Sequence, residues 1–178
     1  MMNDEFFIPF IIHHSSFIIP HPSFNKMSII SRFYTAFMEK DAETMASLYH
    51  PEATFRDPVF DLPDGATAGD MWRMLLKNGQ DLRVSFGEVM EDEKGGSAQW
   101  EAWYTFSKTG RKVHNVIEAK FEWKDGLIYR HTDHFDFWRW SRQALGLTGW
   151  LLGWSLFLQN KVRATAMKGL LKFQESKK

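Results

Sequence analysis

Residues 127–140 read "LIYRHTDHFDFWRW", with two histidines, two aspartates, two phenylalanines and two tryptophans. On a helix, His131 and His134 would share a face and could chelate one metal ion. On a strand they point to opposite sides. The preceding "KDG" at 124–126 decides between the two, because it is a hairpin turn signal between two runs of alternating character. The stretch is therefore expected to be the last strand of an antiparallel hairpin. One face then carries Tyr129, His131, Asp133, Phe135 and Phe137, and the other Arg130, Thr132, His134, Asp136 and Trp138. With no cysteine and no second histidine-rich segment in the domain, no metal site is expected. What remains is His131 with Asp133 on one face. A carboxylate beside an imidazole orients the ring and suits it to acid–base work. The same pair is equally at home as a satisfied polar pair inside a barrel.

Working upstream, "RKVHNVIEAKFEW" (111–123) sets Val113, Asn115, Ile117, Ala119 and Phe121 against His114, Glu118, Lys120 and Glu122. "SAQWEAWYTFS" (97–107) places Trp100, Ala102, Tyr104 and Phe106 together, and residues 82–91 supply Leu82, Val84 and Phe86. Helical spacing precedes these strands. Ile29, Ile30, Phe33, Phe37 and Met38 form one apolar stripe. Asp41 is an N-cap for a second helix expected to run through Tyr49 and close at His50-Pro51. "ATFRDPVF" (53–60) is a short strand, and "DMWRMLLKNG" (70–79) a third helix. Helices followed by an antiparallel meander define an α+β class.

The whole chain has 178 residues, 44% of them hydrophobic, which suits one domain with a sizeable core. The 22 basic and 22 acidic side chains balance, so no nucleic-acid partner is expected. Eight of the basic residues but only one acidic residue lie from Arg139 onward, leaving a tail of +7 on a body of −7. Residues 144–158, "ALGLTGWLLGWSLFL", contain no charge, and an amphipathic basic segment follows. That run is short for a membrane span, so the tail is expected to pack as a lid on the sheet or to touch a membrane surface. The lack of cysteine fits a reducing, cytoplasmic setting. Residues 1–26 are apolar but interrupted by prolines and histidines, without a clear cleavage site. They are expected to lie outside the fold, with Met27 as the true start. The organisation is thus an extension (1–26), a domain (27–140) and a helical apolar and basic tail (141–178).

Two motifs resemble the nuclear transport factor 2-like superfamily, which includes SnoaL-like polyketide cyclases, ketosteroid isomerases and limonene-epoxide hydrolases. "TFRDPV" is similar to the segment where ketosteroid isomerases carry a catalytic aspartate before proline, with Asp41 and Asp57 keeping the family's spacing. "HTDHFDFW" followed by "RQALG" resembles the last strand of SnoaL-like proteins, where the first aspartate of a D-x-F-D pattern, here Asp133, faces the pocket. The resemblance covers roughly residues 27–145. It implies a curved antiparallel sheet forming a cone, or partly closed barrel, with helices over the mouth, an apolar pocket and a homodimer. The departures bear on activity. The isomerase tyrosine falls on Phe33, with Tyr34 adjacent, and its second aspartate falls near Ala119. The epoxide hydrolase Arg and Asp fall at Trp100 and Ala102, and its Tyr and Asn at Arg56 and Pro58. Neither full apparatus is present.

The expected site therefore has Asp57, His131 and Asp133 as catalytic candidates. Tyr34, Trp72, Trp100, Tyr104, Asn115, Ile117 and Phe135 would contact a small apolar or carbonyl-containing ligand, with no cofactor. A carboxylate in apolar surroundings can remove a proton beside a carbonyl, which covers isomerisation, cyclisation and dehydration. The alternative is a non-catalytic binding or dimerisation module that uses Glu101, Trp103, His114 and Glu118 on the outer face.

Overall fold

The computed structural model describes residues 27–177. The expectation for residues 1–26 falls outside them. The elements run α1 (Ile29–Met38), α2 (Ala42–Ser47), β1 (Tyr49–Arg56), β2 (Asp61–Leu62), α3 (Gly65–Asn78), β3 (Arg83–Glu91), β4 (Gly95–Phe106), β5 (Arg111–Lys124), β6 (Leu127–His134), α4 (Phe137–Leu145), α5 (Leu147–Leu152) and α6 (Leu156–Glu175).

Six strands form one curved, open sheet in the order β2-β1-β6-β5-β4-β3. Alternation settles which face is inside. Along β5, Val113, Ile117, Ala119 and Phe121 are buried while Glu118, Lys120 and Glu122 are exposed. The register pairs Trp100 with Ile117, Ala119 with Asp133, and Phe121 with His131, so the apolar faces of β4, β5 and β6 line up. The stripes of α1 and α3 fill the concave side. Ile30, Phe33, Tyr34, Ala68, Met71 and Trp72 are each no more than 2% exposed. This is the α+β architecture expected from the order of elements.

Four details differ from the sequence reading. The β1–β6 pair is parallel, with β2, α3 and strands β3 to β5 lying between the two strands along the chain. Helix α2 ends at Ser47, so Tyr49 starts β1 instead of closing a helix, and a register irregularity between Tyr49 and Thr54 accommodates Pro51. Helix α3 starts at Gly65, capped by Asp64, whose carboxylate accepts the Thr67 N–H at 2.7 Å. Strand β6 stops at His134. Asp136 caps α4 by accepting the Arg139 N–H at 2.9 Å, so Phe137 and Trp138 are helical and the boundary at 140 lies within a helix.

The C-terminal helices fold back onto the domain. Gln143 on α4 donates to the His114 carbonyl and accepts from the His114 N–H, covering the part of β5 that runs past β6. Helix α6 passes alongside α3 with Leu158 and Leu170 buried, and Lys177 and Gln174 reach Asp70. At its other end α6 lies over the turn after β1, where Gln159 and Arg163 both donate to the Pro58 carbonyl at 3.2 and 3.1 Å.

Candidate active site

Strand β6 and the end of β1 bring together His131, Asp133 and Asp57. Their parallel register pairs Phe55 with His131 and Arg56 with Thr132, so the next step brings Asp57 toward Asp133. The two carboxylates nevertheless sit in different surroundings.

His131 is fully buried and Asp133 nearly so. Phe33, Phe55, Trp72 and Phe121 surround the imidazole, with ring centroids 4.2–6.2 Å away. Polar partners connect into a chain. The Trp72 indole N–H donates to the Tyr49 hydroxyl oxygen at 3.0 Å, and that hydroxyl lies 2.6 Å from His131 Nδ1. His131 Nε2 lies 3.0 Å from Asp133 Oδ1, which the Trp100 indole N–H also approaches at 3.4 Å. Only one assignment satisfies every member. Trp72 donates to Tyr49, Tyr49 to Nδ1, and Nε2–H to the carboxylate. The reverse tautomer leaves the tyrosine hydrogen without an acceptor. Burial raises the pKa of Tyr49 well above its ordinary value, so the hydroxyl stays protonated and keeps donating.

Tyr34, also fully buried, stacks on Phe86 and tilts against Trp100. Its hydroxyl has no hydrogen-bond partner among the described residues. Burial raises its pKa strongly, and the charge of Asp133 acts in the same direction.

Asp57 stands at the rim, under α6. Its carboxylate accepts the N–H groups of Val59, at 2.6 Å, and Phe60. Those bonds favour the charged form. Burial outweighs them and, with the neighbouring Asp133 charge, pushes the pKa up to about 7, against a smaller opposing pull from Arg163. Tyr104 lies close enough for the Asp57 charge to act on its hydroxyl, whose pKa burial also raises. The hydroxyl oxygen accepts the Trp140 indole N–H at 2.8 Å, leaving its hydrogen to donate elsewhere. Arg163 stands on α6 with its Nε buried and unpartnered among the described residues.

The expected residues therefore divide. Asp57 and Tyr104 gather at the rim. His131, Asp133, Trp72 and Trp100 form an interior chain, and Tyr34 lies beside it. Ile117 is buried core, while Asn115 and Phe135 are half-buried on the inward face. The concave side is filled by aromatic rings where the sequence reading expected an apolar pocket. Two hollows open at the surface, the second of them against Tyr104. One of about 440 Å³ sits among Met90, Gly95 and Glu122, and one of about 300 Å³ among Asp81, Trp103, Tyr104 and Gln143. Among the described residues, no group of three or more histidine, aspartate or glutamate side chains could hold a metal ion.

Sequence reading missed Tyr49, Trp140, Gln159 and Arg163. Tyr49 was legible, since it shares parity with Ala53, Phe55 and Asp57 once the strand is extended back through Pro51. The others depend on the return of the tail.

The SnoaL-like domain family matches residues 30–131, more than half of the chain. The chain belongs to the SnoaL-like domain family. The solved structures similar to this SnoaL-like protein share its fold at low identity. One is a provisionally assigned polyketide cyclase of Xanthomonas campestris pv. campestris, 15% identical, covering 65% of this chain and 93% of its own, with a TM-score of 0.55. Another is an LEH-like epoxide hydrolase of M. tuberculosis, 15% identical over 70% of this chain and 92% of its own, with a TM-score of 0.54. A third, from Catenulispora acidiphila, has a ketosteroid isomerase-like fold and was crystallised with trimethylamine. It is 8% identical over 65% of this chain and 91% of its own, with a TM-score of 0.57. No curated protein matches the chain. Family and fold together agree with the helix-covered curved sheet described above. The matched region stops before α4, so the helices that supply Trp140 and Arg163 lie outside it.

Proposed function

We propose that this SnoaL-like protein binds a small, mostly apolar carbonyl compound at the rim beneath α6 and moves a proton on it with Asp57. One observation carries the reading: Asp57 has its pKa raised to about 7, and its charge reaches a tyrosine whose hydrogen is free to donate. A carboxylate poised near neutrality is populated as a base and is strong enough to take a proton from carbon next to a carbonyl. The Tyr104 hydroxyl would donate to the oxygen as it gains enolate character, and the indole N–H of Trp140 polarises that hydroxyl further. Returning the proton to another carbon gives isomerisation. Attack of the enolate on a second carbonyl gives cyclisation, and loss of a β-hydroxyl gives dehydration. Ligand entry would require α6 to shift, since Gln159 and Arg163 hold the Pro58 carbonyl next to Asp57.

The interior chain supports a scaffolding part for His131 and Asp133, because each of its hydrogen-bonding members already has a partner. The absence of cysteine supports a cytoplasmic setting. A homodimer through the outer sheet face remains the self-association reading. There Trp103 stacks on His114 at 4.8 Å and His114 pairs with Glu101.

The test is turnover of a panel of cyclic and linear carbonyl compounds, with proton exchange beside the carbonyl followed by NMR in deuterated water. Asp57→Asn should abolish exchange while retaining ligand binding. If the wild-type protein binds such compounds but exchanges no proton at any pH, the non-catalytic binding reading replaces this one.

A further inference from the structure

The corner between α4 and α6 is built inside out. Gly149 and Gly153 press against α4, where a Cβ on Gly149 would sit 1.9 Å from the Ser141 carbonyl oxygen and one on Gly153 2.0 Å from the Ser141 hydroxyl. Helix α5 therefore docks through its smallest residues and turns its largest ones outward. Leu147, Trp154, Leu156 and Phe157 are each 68–74% exposed, with Trp150 and Leu151 above 50%. Trp138 joins them from α4, with the Arg142 guanidinium 4.5 Å above its ring. The close glycine contacts fix this arrangement, so the patch is not a side effect of a loose loop. An exposed apolar surface of this kind is unusual on a protein that meets only water.

The charges carried by α4 to α6 ahead of Glu175 share one sign. Between Asp136 and Glu175 the chain has no acidic residue, while Arg139, Lys161, Lys168 and Lys172 are all exposed. Tryptophans and leucines with a basic flank match the headgroup region of an anionic bilayer, where indoles favour the interface and cations meet lipid phosphates and carboxylates. Six residues cannot cross a bilayer, and no helix among the described residues is long and apolar enough to do so. The corner would lie in the interface instead of passing through it.

We propose that the α5–α6 corner is a docking surface for an anionic lipid membrane, with Trp150, Trp154 and Phe157 entering the headgroup layer and Lys161, Lys168 and Arg139 meeting its charge. The inference stands apart from the reading of Asp57.

Flotation of the full chain with vesicles tests it, using phosphatidylcholine alone and phosphatidylcholine with phosphatidylserine. Binding should require the serine lipid and weaken with salt. The Trp150→Ser/Trp154→Ser variant should lose binding by about 10-fold or more, with circular dichroism and thermal unfolding unchanged because both rings are exposed. Lys161→Glu and Lys168→Glu should each weaken binding to the serine-containing vesicles by at least roughly five-fold. Absence of binding to either vesicle overturns the proposal. So does binding that survives loss of both tryptophans but disappears when residues 1–26 are deleted. Light scattering that shows a dimer broken by Trp150→Ser/Trp154→Ser, without vesicle binding, assigns the surface to a second copy and likewise overturns it.

Discussion

Asp57 and Asp133 stand one register step apart from the same paired residues of β1 and β6, yet they meet opposite fates. Asp133 is enclosed by a ring of aromatics and closes a hydrogen-bond chain that runs from Trp72 through Tyr49 and His131. Asp57 accepts only two backbone N–H groups, half-buried beneath a helix that reaches it from the far end of the chain. A saturated polar network in a dry interior has little capacity left for chemistry and much to lose on truncation. An acid held near neutrality at a rim has the reverse properties. A His/Asp pair is thus a weaker sign of reactivity than the number of its unmet hydrogen bonds.

Exchanging the two aspartates breaks this contrast most directly. Asp133→Leu leaves the His131 N–H and the Trp100 indole unpaired in the core, and should destabilise the fold by about 3 kcal/mol in urea unfolding. Asp57→Asn should leave stability near neutral pH equal or higher while cutting proton transfer by about 100-fold or more. Equal losses of stability in both variants would erase the distinction.

The pH response sharpens it. The folded pKa of Asp57 lies above its unfolded value, so the native state holds the proton more tightly. Its stabilising contribution is largest at acid pH and declines as pH rises from about 4 through about 7. Partial exposure of the residue holds the span to the order of 2 kcal/mol. Urea unfolding of wild type and Asp57→Asn at about pH 5 and about pH 8 should therefore show a slope in the first that is reduced in the second. Turnover runs the other way. It should increase with pH and level off above about 7, since the base must be ionised.

Tyr104→Phe should lower proton transfer by about 10-fold or more. It also leaves the Trp140 N–H without its acceptor, at about 1–2 kcal/mol of stability. Activity unchanged in this variant would remove Tyr104 from the proposed mechanism. The smallest effect is expected from Arg163→Gln, which removes a positive charge acting on Asp57. The inflection in the rate profile should move upward by a few tenths of a pH unit, and a downward move would contradict the assigned polarity.

Much of this arrangement is legible in the sequence. The "KDG" turn turned residues 127–134 into a strand, and period-two alternation then placed His131 and Asp133 inward and His134 outward, where they are. Asp41 was readable as a cap, and its carboxylate accepts the Glu43 and Thr44 N–H groups. Reading failed at Tyr49, where proline two residues on suggested a helix stop and the chain instead opened a strand with an irregular register. It also ran the last strand on too far, because Asp136, a polar residue between two aromatics, is a helix cap.

The difference follows from the range of the forces involved. Turn chemistry, capping and side-chain alternation act over two to four residues, so the sequence by itself determined most of the elements, the sheet faces and the family to which they belong. Whether a carboxylate is a structural acceptor or an acid poised near neutrality depends on burial and on charges from distant segments. Arg163 meets Pro58 across 105 residues, and Trp140 meets Tyr104 across 36. Only the tertiary structure closes those distances, and so only it separated Asp57 from Asp133.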